Sequence, residues 1–372
     1  MNSPWSRAIV VTPRYCGADG ISAVTRAYVE GLMSSDGCIP RLDVWSLGDD
    51  RTTDHGDTPG VAFRCAGGRR LAFASYALRE RGVDRQTLVV VQHVHLAPAV
   101  LPLLARGARL LLVMHGIESW TRLRPLERVA CRLAWKRVAV SAHTMRRFRA
   151  ANPDLAALPI EVCAPGLSAP AASNGVSVPG LYALIVARMA SGERYKGHDE
   201  LLDVWPAVHA QVPGAQLVVA GDGDDRVRLE QKAAGLGLRD VVRFEGMVDE
   251  GRLQALYRHA AVFAMPSPNE GFGLVFVEAL RAGVPCIVAR GAAEEIVEHE
   301  HTGLVVPAGN APVLERALVR LLSSGDERAR MKTAALSAFR RFSAEAFRAR
   351  LAALVQPPNT SRPVVPESKV AC

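Results

Sequence analysis

The sequence predicts an α/β protein built from two doubly wound parallel sheets. Short, near-continuous apolar runs alternate with longer helix-period stretches almost throughout. The runs fall into two sets, separated at residues 166–180 by GLSAPAASNGVSVPG, a stretch without clear period. The chain has 372 residues, which at roughly 100–200 residues per domain suits two domains. Apolar strands that do not alternate with polar positions indicate parallel sheets covered by helices on both faces, and two such sets mean two doubly wound units.

In the first half, strands are expected at 8–12, 42–47, 88–92, 109–114 and 138–141, with helices at 21–33, 71–81 and 123–135. In the second half, strands are expected at 183–187, 216–220, 242–245, 262–265, 286–289 and 304–306. Helix periods lie between them at 198–209, 226–236, 252–259, 274–282 and 312–323. Residues 323–354 read as two terminal helices. The Pro-rich, polar stretch 356–372 reads as a disordered tail.

Composition narrows the function classes. Hydrophobic residues make up 49% of the chain and the mean hydropathy is +0.09, which excludes disorder or a collagen-like structure for the bulk. No apolar run approaches the ~18 residues of a membrane span, and the start, MNSPWSRAIVV, carries no signal-peptide core. Seven cysteines (Cys16, Cys38, Cys65, Cys131, Cys163, Cys286, Cys372) are scattered without a C-x-x-C pair. That pattern fits reduced thiols in a cytoplasmic protein and argues against a disulfide framework or a zinc site.

The net charge of +8 is uneven: residues 1–165 hold 22 basic and 14 acidic side chains, residues 166–372 hold 23 of each. Residues 121–150 alone carry nine basic side chains against one acid, Glu127. Such asymmetry fits either an anionic partner or a solvated helix face.

Open α/β sheets bind ligands at the carboxyl ends of their strands. The most informative such loop lies in MPSPNEGFGLVFVEALRAGVPCIV, residues 265–288. A strand ends near Met265, Pro266 and Pro268 stop it, and a glycine-containing turn leads into a helix from about Leu274. Gly271 and Gly273 let backbone N–H groups approach a ligand closely. A helix N-terminus favours a diphosphate, and the carboxylates of Glu270 and Glu278 are acceptors for sugar hydroxyls. By itself the pair reads better as a capping acid and a surface residue; its context reverses that.

EGFGLVFVEAL, followed by AGVPCIV and AAEEIVEHEHTGLVVP, resembles the donor-binding region of family 4 of the retaining glycosyltransferases. VARMASGERYKGHDELL resembles that family's phosphate-binding strand-loop-helix, and VVAGDGDD and VVRFEGMV match two further segments. The resemblance is specific from about Leu181 to Pro307 and only scattered before that. It implies a GT-B architecture, two Rossmann-like domains facing each other across a cleft. The expected division is an acceptor domain at 1–165, a hinge at 166–180 and a nucleotide-sugar domain at 181–342. A helix at 343–354 would cross back to the first domain, and 355–372 would be the tail.

The resemblance also implies roles. Arg188 and Lys196 would neutralise the leaving diphosphate in place of a metal, with Arg194 a substitute because the insert SGERY lengthens their spacing. Glu270 and the backbone of Gly271, Phe272, Gly273 and Leu274 would hold the donor sugar and phosphates, and Glu278 the ribose. Phe244 and Met247 would lie near the base, with Gly221 bordering the nucleotide. His115, at a strand end, would contact the sugar near its anomeric carbon; a purely structural histidine is the alternative. Gly20 opens the first helix on the donor side, although the family's paired glycines are split here into Gly17 and Gly20. His93 and His95 would line the acceptor side; their i, i+2 spacing lacks a third ligand for a metal.

Two strings point elsewhere and are set aside. Asp222-Gly223-Asp224 matches a metal-binding D-x-D but follows a strand and precedes a helix, so it reads as a turn with an N-cap. GDGDDR lacks the third glycine of a dinucleotide fingerprint. The expected activity is transfer of a hexose from a UDP- or GDP-sugar to a hydroxyl, with retention and no metal or other cofactor, the acceptor being a glycan or lipid-linked. The alternative is a non-catalytic GT-B protein that binds carbohydrate or nucleotide sugar. The basic amphipathic pattern around Arg122, Arg128 and Arg132 fits an anionic membrane surface, hence a peripheral protein at the inner face of the membrane. No nucleic-acid motif accompanies it.

Overall fold

The structure, a computed structural model, describes residues 4–34, 39–55, 58–168 and 179–356. Most of the expected hinge (169–178) and the tail from 357 onward lie outside the described residues, as do Cys38 and Cys372.

The first lobe is a parallel sheet of β1 (Arg7–Thr12), β2 (Leu42–Ser46), β3 (Val61–Cys65), β4 (Thr87–Val91), β5 (Arg109–Met114), β6 (Lys136–Ala139) and β7 (Glu161–Val162). Its order is β3-β2-β1-β4-β5-β6-β7. The second is a parallel sheet of β8 (Leu181–Val186), β9 (Ala215–Ala220), β10 (Val242–Gly246), β11 (Val262–Met265), β12 (Cys286–Ala289) and β13 (Gly303–Val306), in the order β10-β9-β8-β11-β12-β13. Helices α1 (Gly20–Met33), α2 (Arg70–Arg79), α3 (Leu101–Leu104), α4 (Pro125–Leu133) and α5 (Ala142–Ala151) belong to the first lobe. Helices α6 (His198–Gln211), α7 (Arg226–Gly235), α8 (Glu250–His259), α9 (Leu274–Arg281), α10 (Ala311–Ser323) and α11 (Gly325–Phe339) belong to the second.

The central strands are apolar because both faces are covered. Val89, Val90, Leu111 and Leu112 in one sheet, and Leu184, Ile185, Phe263 and Ile287 in the other, are fully buried, each side chain contributing about 1.5–3 kcal/mol. Helix starts follow side-chain caps: Asp19 accepts from the Ile21 and Ser22 amides, Ser141 from Thr144 and Asp249 from Arg252. The last helix, α12 (Ala344–Val355), packs on α1 of the first lobe. Phe347 meets the Tyr28 ring at 5.2 Å, the Trp5 indole donates to the Val355 carbonyl at 2.7 Å, and Arg350 donates to the Ala164 carbonyl at 3.0 Å.

Strand order reverses between β1 and β4 in one sheet and between β8 and β11 in the other. Each reversal opens a crevice at the carboxyl ends of its strands, and the candidate residues lie in the loops leaving those strands.

Besides the short α3, three elements depart from the sequence expectation. β3 is a half-exposed edge strand and β7 has only two residues. In α5 only Thr144 and Phe148 are buried, so no apolar stripe announces it. The D-x-D string is also placed differently in detail. Asp225, not Asp224, holds the N-cap position of α7, and Asp224 instead accepts from the Ser191 amide and hydroxyl.

Candidate functional site

The Lys196 ammonium donates to Glu270 Oε1 at 2.8 Å. Lys196 ends the loop after β8 and Glu270 lies in the loop after β11, so the reversal of strand order is what brings them together. Both side chains are largely shielded, 18% and 10% exposed. The Ser267 hydroxyl donates to the same carboxylate oxygen at 2.7 Å and fixes its orientation. Tyr195 packs beside the ammonium, 5.3 Å from ring centre to Nζ, and burial pushes its phenol up to about 12.

Gly273 has φ of 99° and caps α9, where a Cβ would meet the Phe276 ring at 2.4 Å. Its left-handed backbone turns the chain from the loop into α9. Glu278, one turn into α9, is half-buried beside Tyr257, and burial raises its pKa.

The first lobe closes on this loop. A Cβ on Gly271 would stand 1.8 Å from the His115 carbonyl oxygen and 2.9 Å from Gly116 Cα. The Gly271 carbonyl accepts from Ser141 Oγ at 2.6 Å and Thr144 Oγ1 at 2.9 Å. Gly20, at the start of α1, faces Leu274, 3.8 Å from where its Cβ would be. Glu295 caps α5 from the opposite lobe, accepting from the Ala142 and His143 amides at 2.8 and 2.6 Å. Replacing Glu295 by alanine strands two helix N–H groups, a loss of about 1–2 kcal/mol. We expect a lower melting temperature and a larger radius of gyration by small-angle scattering.

His115 follows β5 directly, with Nε2 2.9 Å from Oε1 of the buried Gln92. In this orientation the ring donates from Nε2 and keeps Nδ1 as an acceptor. Burial pushes its pKa down to about 3, so the imidazole is neutral at pH 7. Glu118 accepts from the His115 and Gly116 amides at 2.6 and 3.1 Å and holds the turn. His93 is also pushed down by burial, to about 4. His95 pairs with Glu127 at 2.9 Å, a contact that ties it to α4.

These depressed histidines make stability pH-dependent. Burial lowers His93, His115 and His198 to about 4, 3 and 4, against about 6.5 in an unfolded chain. The unfolded chain therefore gains protons below about pH 6.5 that the folded one refuses, so stability is full above that pH and falls on acidification toward about pH 4. Urea midpoints across this window should drop, and His198→Gln should flatten the slope.

Several expected ligands are placed elsewhere. Arg188 is 67% exposed and donates to Glu193 at 2.5 Å; the inserted 3-10 turn Ser191–Lys196 carries that acid with it. Arg194 reaches Asp225 at 3.1 Å. Neither joins Lys196 and Glu270. The Phe272 side chain is buried against Phe342, at 5.8 Å between rings, so only its backbone remains for a ligand. Phe244 lines a groove with Val227, Glu230 and Gln231 of α7, and Met247 is exposed. Gly221 answers a close approach of strands: a Cβ there would sit 2.1 Å from the Ala187 carbonyl. Ser267, Gln92, Ser141, Thr144 and Glu295 are not among the expected site residues; of these Ser267, three residues before Glu270, and Glu295, in AAEEIVEHEHTGLVVP, lie in segments singled out by motif.

Among the described residues no helix is long and apolar enough to cross a membrane. In α4 the apolar residues divide. Ala130 and Cys131 face inward, whereas Leu126, Val129 and Leu133 are exposed. Arg122 is exposed beside them, while Arg128 and Arg132 both pair with Asp154 at 2.6 and 2.8 Å.

Comparison with known proteins places this geometry. Residues 180–337 match the family described as Glycosyl transferases group 1. A GDP-mannose-dependent alpha-(1-6)-phosphatidylinositol monomannoside mannosyltransferase from Mycobacterium tuberculosis is 33% identical over 254 residues, 62% of this chain and 65% of that protein. Its counterpart from Mycolicibacterium smegmatis is 30% identical over 262 residues, 63% of this chain and 67% of that protein. The crystal structure of Anabaena HepE in complex with UDP and glucose aligns with a TM-score of 0.73 at 18% identity, covering 93% of this chain and 98% of the other. The chain belongs to the group 1 glycosyltransferases and has the GT-B fold.

Proposed function

We propose that the protein transfers a hexose from a UDP- or GDP-sugar to a hydroxyl acceptor, with retention at the anomeric carbon and without a metal at the diphosphate. The observation that carries this reading is the shielded Lys196–Glu270 pair beside the α9 N-terminus, closed over by Gly116 and His115. The backbone of residues 271–274 receives the diphosphate, and Lys196 neutralises the charge that develops on it. Glu270 accepts from the sugar hydroxyls, Glu278 from the ribose, and neutral His115 contacts the sugar. The bond from the anomeric carbon to the diphosphate breaks as the acceptor oxygen bonds to the same face. The acceptor proton passes to the departing diphosphate.

The relatives named for phosphatidylinositol monomannoside and the exposed basic, apolar face of α4 support a lipid-linked or growing glycan acceptor in cell-surface polysaccharide assembly. They also support docking on an anionic membrane. At ~1 kcal/mol per basic residue near such a surface, plus the burial of two leucines, Arg122→Ser with Leu126→Ser and Leu133→Ser should weaken binding to anionic vesicles at least tenfold in cosedimentation.

The activity is tested by incubating the protein with a panel of UDP-, GDP- and ADP-sugars and measuring free nucleoside diphosphate. Release from one of them supports transfer. Binding by thermal shift without release would make the protein a non-catalytic nucleotide-sugar binder.

A further inference from the structure

We propose that the carboxyl edge of the first sheet holds a zinc-class divalent cation on Cys16, Asp49, His55 and Cys65. The four positions, separated by 33, 6 and 10 residues, form no C-x-x-C or other familiar metal-binding spacing, which is why the sequence argued against zinc. The fold gathers them: Cys16 follows β1, Asp49 and His55 follow β2, and Cys65 ends β3, three adjacent strands. Ligand atoms of Cys16, Asp49 and His55 all lie within 4.8 Å of one another, and His55 Nε2 lies 3.1 Å from Cys65 Sγ. Around a tetrahedral ion with Zn–S near ~2.3 Å and Zn–N near ~2.0–2.1 Å, ligand atoms stand roughly 3.3–3.8 Å apart. Cys65 Sγ lies outside the mutual span of the other three, so the fourth ligand closes on them by side-chain rotation when the ion binds.

The donor chemistry is selective. Two thiols and an imidazole suit zinc, whereas magnesium or calcium would call for an all-oxygen shell. The ligands are also held from behind, as metal ligands are. Asp49 Oδ2 accepts from the Tyr15 amide at 2.6 Å and the Ser46 hydroxyl at 2.7 Å, leaving Oδ1 for an ion. The His55 ring stacks on Phe63 at 4.2 Å between centres. Cys16 is exposed, so the site exchanges with solvent. Its loop runs on to Asp19, which caps α1, and to Gly20, which faces Leu274 across the crevice. An ion at this edge would brace the first-lobe side of the cleft.

The full-length protein, treated with chelator and reductant, is titrated with Co²⁺ and then Zn²⁺. One equivalent of cobalt should give thiolate-to-cobalt charge transfer and tetrahedral d–d bands that zinc abolishes. Affinity should fall more than about 100-fold in Cys16→Ser and in Cys65→Ser. Zinc should raise the melting temperature of the wild type and not that of Cys16→Ser, whose exposed position leaves folding intact. Absence of thiolate bands in the wild type, or bands unchanged in the double cysteine variant, would overturn the proposal.

Discussion

Replacing Lys196 by alanine is expected to lower kcat about 10²–10³-fold. The ammonium is the cation that stands on Glu270, while Arg188 and Arg194 are engaged by Glu193 and Asp225. Neither arginine is therefore positioned to take over its charge. The substitution also strands a carboxylate that is only 10% exposed, and breaking a buried pair from one side costs about 3–5 kcal/mol, somewhat less here because both groups keep some contact with water. Loss of turnover and loss of stability are separable. Lys196→Met combined with Glu270→Gln removes both charges together and should recover most of the melting temperature while remaining inactive. Single-turnover release of nucleoside diphosphate and thermal unfolding, measured on the same samples, read the two effects. Near-normal kcat in Lys196→Ala would remove this residue from the chemistry.

The second large effect is expected at Gly271. A methyl group there meets the His115 carbonyl at 1.8 Å and Gly116 Cα at 2.9 Å, backbone atoms that no side-chain rotation can move aside. The lobes must separate to admit it. A misplacement of about 1 Å between reacting groups is worth roughly 10²-fold, so kcat/KM for Gly271→Ala should fall by about that factor. The sheet cores are untouched, but separation strains the bonds of Ser141, Thr144 and Glu295 between the lobes, so the melting temperature should fall about as in Glu295→Ala. Gly192→Ala, where a Cβ meets nothing within 4 Å, is the matched control and should stay active.

What was legible in the sequence follows a physical division. The loop and helix that carry Glu270, Gly271, Gly273 and Glu278 are contiguous in the chain, and their strand-turn-helix pattern reads directly. The central strands read equally well because burial on both faces makes them uniformly apolar. Edge elements did not, since β3 is half in solvent and β7 has two residues. Contacts that close the site are long-range, joining positions 23, 130 and 153 residues apart for Gln92–His115, Ser141–Gly271 and Ala142–Glu295. No local pattern encodes such pairings. Arg188 illustrates a different limit. Its identity and position after a strand suggest a phosphate ligand, but an acid five residues later draws it outward.

The charge excess of the first half also divides on inspection. Arg7 is buried between Asp43 and Glu80 at 2.6 and 2.7 Å. Arg137 is spent on the carbonyls of Cys131, Arg132 and Ala134. These arginines hold the lobe together and attract no partner. Exposed basic side chains remain on several elements, Arg69, Arg70 and Arg79 at α2 among them, and the exposed face of α4 with the Arg122 turn before it is one of these surfaces.

The most direct test of the proposed chemistry is the configuration of the product. With the donor identified from the nucleotide-sugar panel and a hydroxyl acceptor supplied, the one-bond C1–H1 coupling of the new linkage is measured by NMR. The same anomeric configuration as in the donor is expected, with one nucleoside diphosphate released per linkage formed. An inverted linkage would contradict retention.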